Sequence, residues 1–346
     1  MERNSTMKAV AYDANEKLKF VDIEMPKLDP DQVLIKVSNT GFCGSDHSMI
    51  ESGSLADGYI IGHEVSGVVA DIGSALKDQV LGTKVIIRPT YCGQCRDCRA
   101  GKPYFCQNNR RSIGIGDLPG GFAEYLKVYP EMLIPVPDGV DSLNASLAEA
   151  FAASLHGIRV SRAQRGSALV IGGGPIGLAL VRLLKILDFN PIALSEPVQK
   201  KREIAKNYGA DILIDPFNEN PVLRAMDETG GCGFETVFEC SGIPESVTQA
   251  MYCAINGGTV CIVSVIMRNI EIAPMVLNFK EIWLVGSYSN THEENRQCLQ
   301  WMAQGKLDGR ELISDYAALD ELPQLYKERI DTGKTIKVML KIGEEF

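Results

Sequence analysis

Residues 168–177 read ALVIGGGPIG. Four apolar residues of strand character run into three glycines and then into an apolar run of helical spacing, so a strand is predicted to turn directly into a helix. Gly172, Gly174 and Gly177 fit the pattern GxGxxG. The first glycine allows a tight turn, the second lets backbone approach a pyrophosphate, and the third lets the helix pack on the strand. Pro175 and Ile176 open that helix, whose N-terminus is where phosphates sit. Alone the motif is weak, but its surroundings strengthen it. The next strand-like run, PIALSE (191–196), ends on Glu196, nineteen residues beyond Gly177, where a carboxylate can accept hydrogen bonds from an adenosine ribose. A negative charge there repels the 2'-phosphate of NADP, and the following PVQKK holds no arginine, so NAD is the expected dinucleotide.

Outward from this turn, DILI (211–214), ETVFEC (235–240), TVCIVSV (259–265) and IWLVGSY (282–288) continue the alternation of strands with helical stretches. Six strands with helical crossovers predict a doubly wound parallel α/β sheet, a Rossmann domain. Upstream, from Met7 to about Pro137, runs such as MKAVAY, QVLIKV, VSGVVADI and TKVIIR are short, β-branched and broken by Gly, Pro and Asp, as in an antiparallel β domain. Downstream of Ser289, two helical stretches and the strand-like TIKVMLKI add nothing obvious to the parallel sheet. The expected organisation is therefore 1–152 as a β-rich domain, 153–290 as the nucleotide domain, and 291–346 as a segment returning to the first.

A chain of 346 residues suits two such cores. No stretch approaches the ~20 apolar residues that span a bilayer, and MERNSTMKAVAY lacks the apolar core of a secretory signal, so the cytoplasm is expected. Thiols stay reduced there, and ten cysteines then suggest metal ligands and buried apolar thiols rather than disulfides. A net charge of −9 argues against nucleic acid and anionic membrane as partners.

Four of the ten cysteines crowd into YCGQCRDCRAGKPYFCQ (91–107): Cys92, Cys95, Cys98 and Cys106. Four thiolates complete the tetrahedral shell of Zn(II) and leave no open position, which describes a structural site; an iron–sulfur cluster also uses four cysteines. The reactive cluster must lie elsewhere. Cys43 in TGFCGSDHS and His63 with Glu64 in YIIGHEVSG supply a thiolate, an imidazole and a carboxylate, a donor set for zinc with a position left open. A hydrogen-bonded core histidine is the other reading of His63.

The order CGSD, GHE, the four-cysteine lobe, GGFAEY (120–125), AEAFAASLHG, GGGPIG resembles the zinc-containing medium-chain alcohol and polyol dehydrogenases, in particular their sorbitol dehydrogenase-like branch, from about Met7 to the C-terminal GKTIKVML. The resemblance implies a GroES-like catalytic domain completed by the C-terminal segment, a Rossmann domain, a cleft between them, two zinc ions per chain and a homodimer or homotetramer. It also implies that Cys43 and His63 bind the catalytic zinc with Glu64 as ligand or close neighbour, that Glu149 is the remaining ligand, and that Cys92, Cys95, Cys98 and Cys106 hold a structural zinc. The residue after Glu149 is Ala150 where the family has proline. Zinc with Cys43, His63 and Glu64 is formally neutral and with Glu149 carries −1, which weakens it as a Lewis acid, so Glu149 is expected to yield when substrate binds. Ser45 matches the position that receives the alcohol proton, with an N-capping serine as its other reading. The relay histidine usual five residues after the cysteine is replaced by Ser48, while His47 stands one residue early, about 100° away on a helix. The implied reaction is hydride transfer between a secondary alcohol and NAD. The alternatives are a zinc-free NADPH-dependent enone or quinone reductase of the same superfamily and a non-catalytic nucleotide-binding protein.

Overall fold

The computed structural model describes residues 5–77, 80–163 and 165–346. The chain divides into two compact units, one formed by Met1–Glu149 with Asn295–Phe346 and one by Ala150–Glu294. The divisions fall inside two helices, Ser142–Val160 and His292–Ala303.

The unit Ala150–Glu294 is built on a six-stranded sheet in which every neighbouring pair is parallel. Ala168–Ile171 lies centrally. Ile192–Ser195 and Ile212–Ile214 follow on one side of it, and Phe234–Glu239, Ala254–Ile262 and Trp283–Gly286 on the other. This is the doubly wound order, with its reversal between Ala168–Ile171 and Phe234–Glu239. The strands read as continuous apolar runs because they are buried on both faces; Leu169, Val170, Ile192, Leu194, Val237 and Val260 are wholly buried. One strand starts five residues earlier than its sequence suggests, at Ala254 rather than Thr259, because a register shift between Phe234 and Thr236 lets Asn256, Gly257 and Gly258 pass without breaking the pairing.

The other unit has a predominantly antiparallel sheet ordered Ile313–Ala317, Lys337–Lys341, Val33–Phe42, Glu64–Ile72, Lys84–Ile87, Leu133–Pro135, with Tyr125–Val128 also paired to Val33–Phe42. Thr6–Asp13 and Lys17–Glu24 form a separate hairpin. Two apolar clusters fill this unit, one around Val10, Ile50, Ile61, Phe122, Tyr326 and Leu340, the other around Val33, Ile35, Val85, Val128 and Met132. The C-terminal segment supplies two strands to this sheet. Lys337–Lys341 pairs antiparallel with Val33–Phe42, and Ile313–Ala317, which carries no strong strand signal in sequence, pairs parallel with it. Among the described residues no helix is long and apolar enough to cross a membrane.

Candidate active site

Cys43 ends the longest strand of the antiparallel sheet and caps the helix Gly44–Ser52. Asp46, three residues into that turn, accepts the Cys43 N–H at 2.8 Å and is fully buried. Its other oxygen lies 3.3 Å from Nδ1 of His63, which is 6% exposed. One carboxylate thus fixes both the turn that carries Cys43 and the ring of His63, leaving the opposite ring nitrogen for the thiolate side. Glu64 follows His63 at the start of Glu64–Ile72, directly opposite Gly41 in the neighbouring strand. Any side chain at position 41 would collide with the Glu64 carboxylate, so the glycine makes room for the acid. The sulfur of Cys43 and ligand atoms of His63 and Glu64 lie within 4.8 Å of one another.

Cations from distant sequence meet this group. Lys337 enters with the last strand, next to the Val338–Phe42 pairing, and its Nζ donates to Glu64 at 2.5 Å and to the Phe42 carbonyl at 3.3 Å. Burial works against its charge, but Glu64, then Cys43 and Glu149, hold the ammonium above its ordinary range. Arg88, just past Lys84–Ile87, places a guanidinium nitrogen 3.2 Å from the carboxylate of Glu149 on the helix Ser142–Val160. Glu149 is therefore turned to Arg88, while Cys43, His63 and Glu64 form the tight group. In the forms that ligate a metal, Cys43 as thiolate and His63 neutral, the group with Asp46, Glu64 and Glu149 contributes −4 and Lys337 and Arg88 +2; a divalent cation balances the remainder. The same field acts on the imidazole: burial lowers the His63 pKa, but Asp46 and Cys43 override it and hold it well above the usual histidine range. The residues fit a zinc ion.

Helix capping falls to Cys43, not Ser45, which removes the capping reading of the serine. Ser45 is exposed on the first turn, and the Ser48 hydroxyl donates back to the Gly44 carbonyl at 3.1 Å. His47 faces another way, with Nδ1 3.0 Å from the hydroxyl of Tyr326, which donates to Glu51 at 2.9 Å. Asp46, Lys337 and Arg88 were not singled out from sequence. The SD of CGSD is the one local signal for Asp46; the other two are placed by strand register alone.

Cys92, Cys95, Cys98 and Cys106 also converge within 4.8 Å. Cys95 caps the short helix Arg96–Arg99. Backbone N–H groups of Cys95, Cys98 and Cys92 point at the sulfurs of Cys92, Cys95 and Cys106 at 3.3, 3.5 and 3.4 Å. N–H groups of Gln94 and Cys95 bring the Cys92 thiol down to about 6, whereas burial and Cys95 push Cys98 up to about 12. Four thiolates ionise together here only around a cation, and the sulfur spacing suits the tetrahedron of about 3.8 Å edges expected from Zn–S bonds near 2.3 Å.

In the other unit, Gly172 takes φ 98°, a left-handed conformation, and a Cβ on it would lie 2.7 Å from Cα of Ser241, just past the end of the strand Phe234–Glu239 across the sheet reversal. Gly174 caps the helix Pro175–Ile186, and nothing lies within 4 Å of where its side chain would project. That open backbone at a helix N-terminus, with Pro175 and Ile176 in the first turn and Gly177 against the Gly172 carbonyl, fits a pyrophosphate. Glu196, 4% exposed, accepts the Gly173 N–H at 2.6 Å and the Val198 N–H at 2.9 Å.

Residues 29–138 match the alcohol dehydrogenase GroES-like domain, and residues 175–304 the zinc-binding dehydrogenase domain. The chain is 30% identical over 330 residues to an L-threonine 3-dehydrogenase of Thermococcus kodakarensis, covering 93% of each chain. It is 30% identical to a scyllo-inosose 3-dehydrogenase of Thermotoga maritima, covering 95% of this chain and 90% of that one. The crystal structure of a zinc-binding dehydrogenase from Sinorhizobium meliloti bound to NADP superposes with a TM-score of 0.89 at 31% identity, over 98% of this chain and 100% of that one.

Proposed function

This chain belongs to the zinc-type medium-chain alcohol and polyol dehydrogenases, and we propose that it oxidises a secondary alcohol, a polyol, diol or sugar acid, by hydride transfer to NAD. The observation that carries this reading is the convergence of the part-buried Cys43 with the buried His63 and Glu64, braced by Asp46 and Lys337. Cys43 and His63 would hold a zinc ion with Glu64 beside them. When bound, zinc lowers the pKa of a coordinated hydroxyl and so favours its loss of a proton at neutral pH.

The chain's own side chains do the rest. Asp46 fixes His63 in the tautomer and orientation that ligation requires. Ser45 Oγ, exposed at the head of its helix, accepts the alcohol proton and passes it on to solvent. Gly172, Gly174 and Gly177 admit the pyrophosphate. Glu196, held by two backbone N–H groups, stands where an adenosine ribose would bind and disfavours a 2'-phosphate. Cys92, Cys95, Cys98 and Cys106 would hold a second zinc that ties the lobe together and takes no part in the reaction.

Zinc ligation by Cys43 and by the four lobe cysteines needs reduced sulfur, which supports a reducing compartment, the cytoplasm. The edge strand Trp283–Gly286 and the exposed Val265, Met267, Met275 and Phe279 before it support assembly as a homodimer or a homotetramer made from such dimers. The test is a screen of polyols, diols, sugar acids and L-threonine with NAD and with NADP, read by reduced-cofactor absorbance. Turnover of a secondary alcohol with higher kcat/KM for NAD is expected. Turnover of enones or quinones alone, or a preference for NADP, refutes the corresponding part of the reading.

A further inference from the structure

The two carboxylates near the metal-ligating group are held by two different cations, and the second pair stands out. Glu64 meets Lys337, a residue of the same sheet. Glu149 meets Arg88, whose side chain is 5% exposed against 14% for its partner. Arg88 is anchored by its own backbone, with its N–H donating to the Met132 carbonyl at 2.8 Å, and it stands four residues before Cys92, where the four-cysteine lobe begins. Arginine stays protonated at any working pH, and its guanidinium gives a carboxylate directional N–H donors that hold it in place. The pair therefore draws the Glu149 charge away from Cys43 and His63.

This arrangement has a chemical consequence. A cation held by Cys43 and His63 next to Glu64 is close to neutral; a further carboxylate makes the group anionic and fills the position an alcohol oxygen needs. We propose that Arg88 is a positioning residue for the metal centre: its ion pair with Glu149 keeps that carboxylate out of the inner donor set and the remaining coordination position open to substrate. The proposal rests on the catalytic reading given above and adds to it the residue that decides when Glu149 can ligate.

Cobalt(II) exchanged into the Cys43–His63 position, with zinc retained in the cysteine lobe, reports coordination number and ligand set through its visible absorption. Four variants are compared with the wild-type chain: Arg88→Gln, Arg88→Lys, Glu149→Gln and the double variant Arg88→Gln/Glu149→Gln. Arg88→Gln should weaken and shift the visible bands as Glu149 joins the metal, and should slow cobalt loss to a chelator by about tenfold. The double variant should return both readouts to wild type, and Arg88→Lys should stay near wild type. Glu149→Gln alone should leave the spectrum unchanged; that result carries the test by itself if Arg88→Gln fails to fold. A cobalt spectrum unmoved by Arg88→Gln overturns the positioning role and leaves the catalytic reading standing, as does a Glu149→Gln spectrum changed from wild type. Failure of the wild-type chain to take up a second metal overturns the catalytic reading and this role with it.

Discussion

At the scale of single residues, Asp46 does two jobs with one carboxylate, and each oxygen can be tested. Asparagine keeps an acceptor for the Cys43 N–H but loses the charge opposite His63. Asp46→Asn should fold normally and hold zinc at the Cys43–His63 position 10- to 100-fold more weakly, as measured by competition with a chromogenic chelator. Ser45 and His47 separate in the same way. His47 is committed to Tyr326 and Glu51, so His47→Gln should leave the pH profile of alcohol oxidation nearly unchanged. Ser45→Ala should cut the rate at neutral pH, with partial recovery as rising pH lets solvent take the proton, while zinc and NAD stay bound. An ionisation lost from the profile in His47→Gln would reverse these roles. Sequence spacing brought Cys43, His63 and Glu64 to notice because thiolate, imidazole and carboxylate are uncommon together. Lys337 lies 273 residues from Glu64, and nothing short of strand register puts the two in contact.

Among the elements, the cysteine lobe should behave as a separate unit of stability. It has a short helix, a 3₁₀ turn and few buried apolar side chains, so its order depends on the cation that its four sulfurs surround. Cys95→Ser should lower the melting temperature far more than Cys43→Ser, which removes a thiolate but leaves the buried Lys337–Glu64 pair intact, and comparable losses in the two variants would refute this division. The helices Ser142–Val160 and His292–Ala303 carry a second testable link. His156 Nδ1 lies 2.9 Å from Glu294, whose side chain is 2% exposed and also accepts from the Thr291 N–H. Burial raises the Glu294 pKa, yet the bond and charge of His156, with Thr291, carry it below its ordinary 4.5. A carboxylate lowered by folding stabilises the native state fully above its unfolded value and loses that contribution as pH falls through the folded value. The stability difference between wild type and Glu294→Gln should therefore be greatest above about 4.5 and shrink as pH falls below it. At neutral pH His156→Leu should lower stability by about 1 to 3 kcal/mol by denaturant unfolding, because Glu294 loses the histidine donor and keeps Thr291 and the partly exposed Arg159. Growth of the Glu294→Gln difference on acidification would contradict the sign. The parallel strands were legible from their apolar runs, whereas Ile313–Ala317 was not: ISDYA has no clear alternation, and the neighbouring Lys337–Lys341 organises it.

Over the whole molecule, sequence foretold the class of each sheet but not which cations would close the metal group, since that follows from how a C-terminal strand re-enters a sheet begun three hundred residues earlier. The edge of the parallel sheet leads to the last prediction. Trp283–Gly286 pairs with Ala254–Ile262 on one side only among the described residues, so its other side offers backbone donors and acceptors to a further strand. The segment before it exposes Met267 at 86% and Phe279 at 80%, with Val265 and Met275 also open, in a chain whose other large apolar side chains are mostly buried. A second copy presenting the same edge and the same side chains satisfies both through one two-fold axis. The net charge of −9 on each copy opposes approach, but salt screens it beyond about 8 Å at physiological strength, and burial of apolar surface works at contact. Light scattering should therefore give a mass at least twice 37.8 kDa at micromolar concentration, rising in stability with salt rather than falling. Met267→Asp with Phe279→Asp should yield monomers that retain two zinc ions per chain, because neither residue belongs to either cysteine group. A wild-type chain that scatters as a monomer at these concentrations would show that the exposed edge serves something other than self-association.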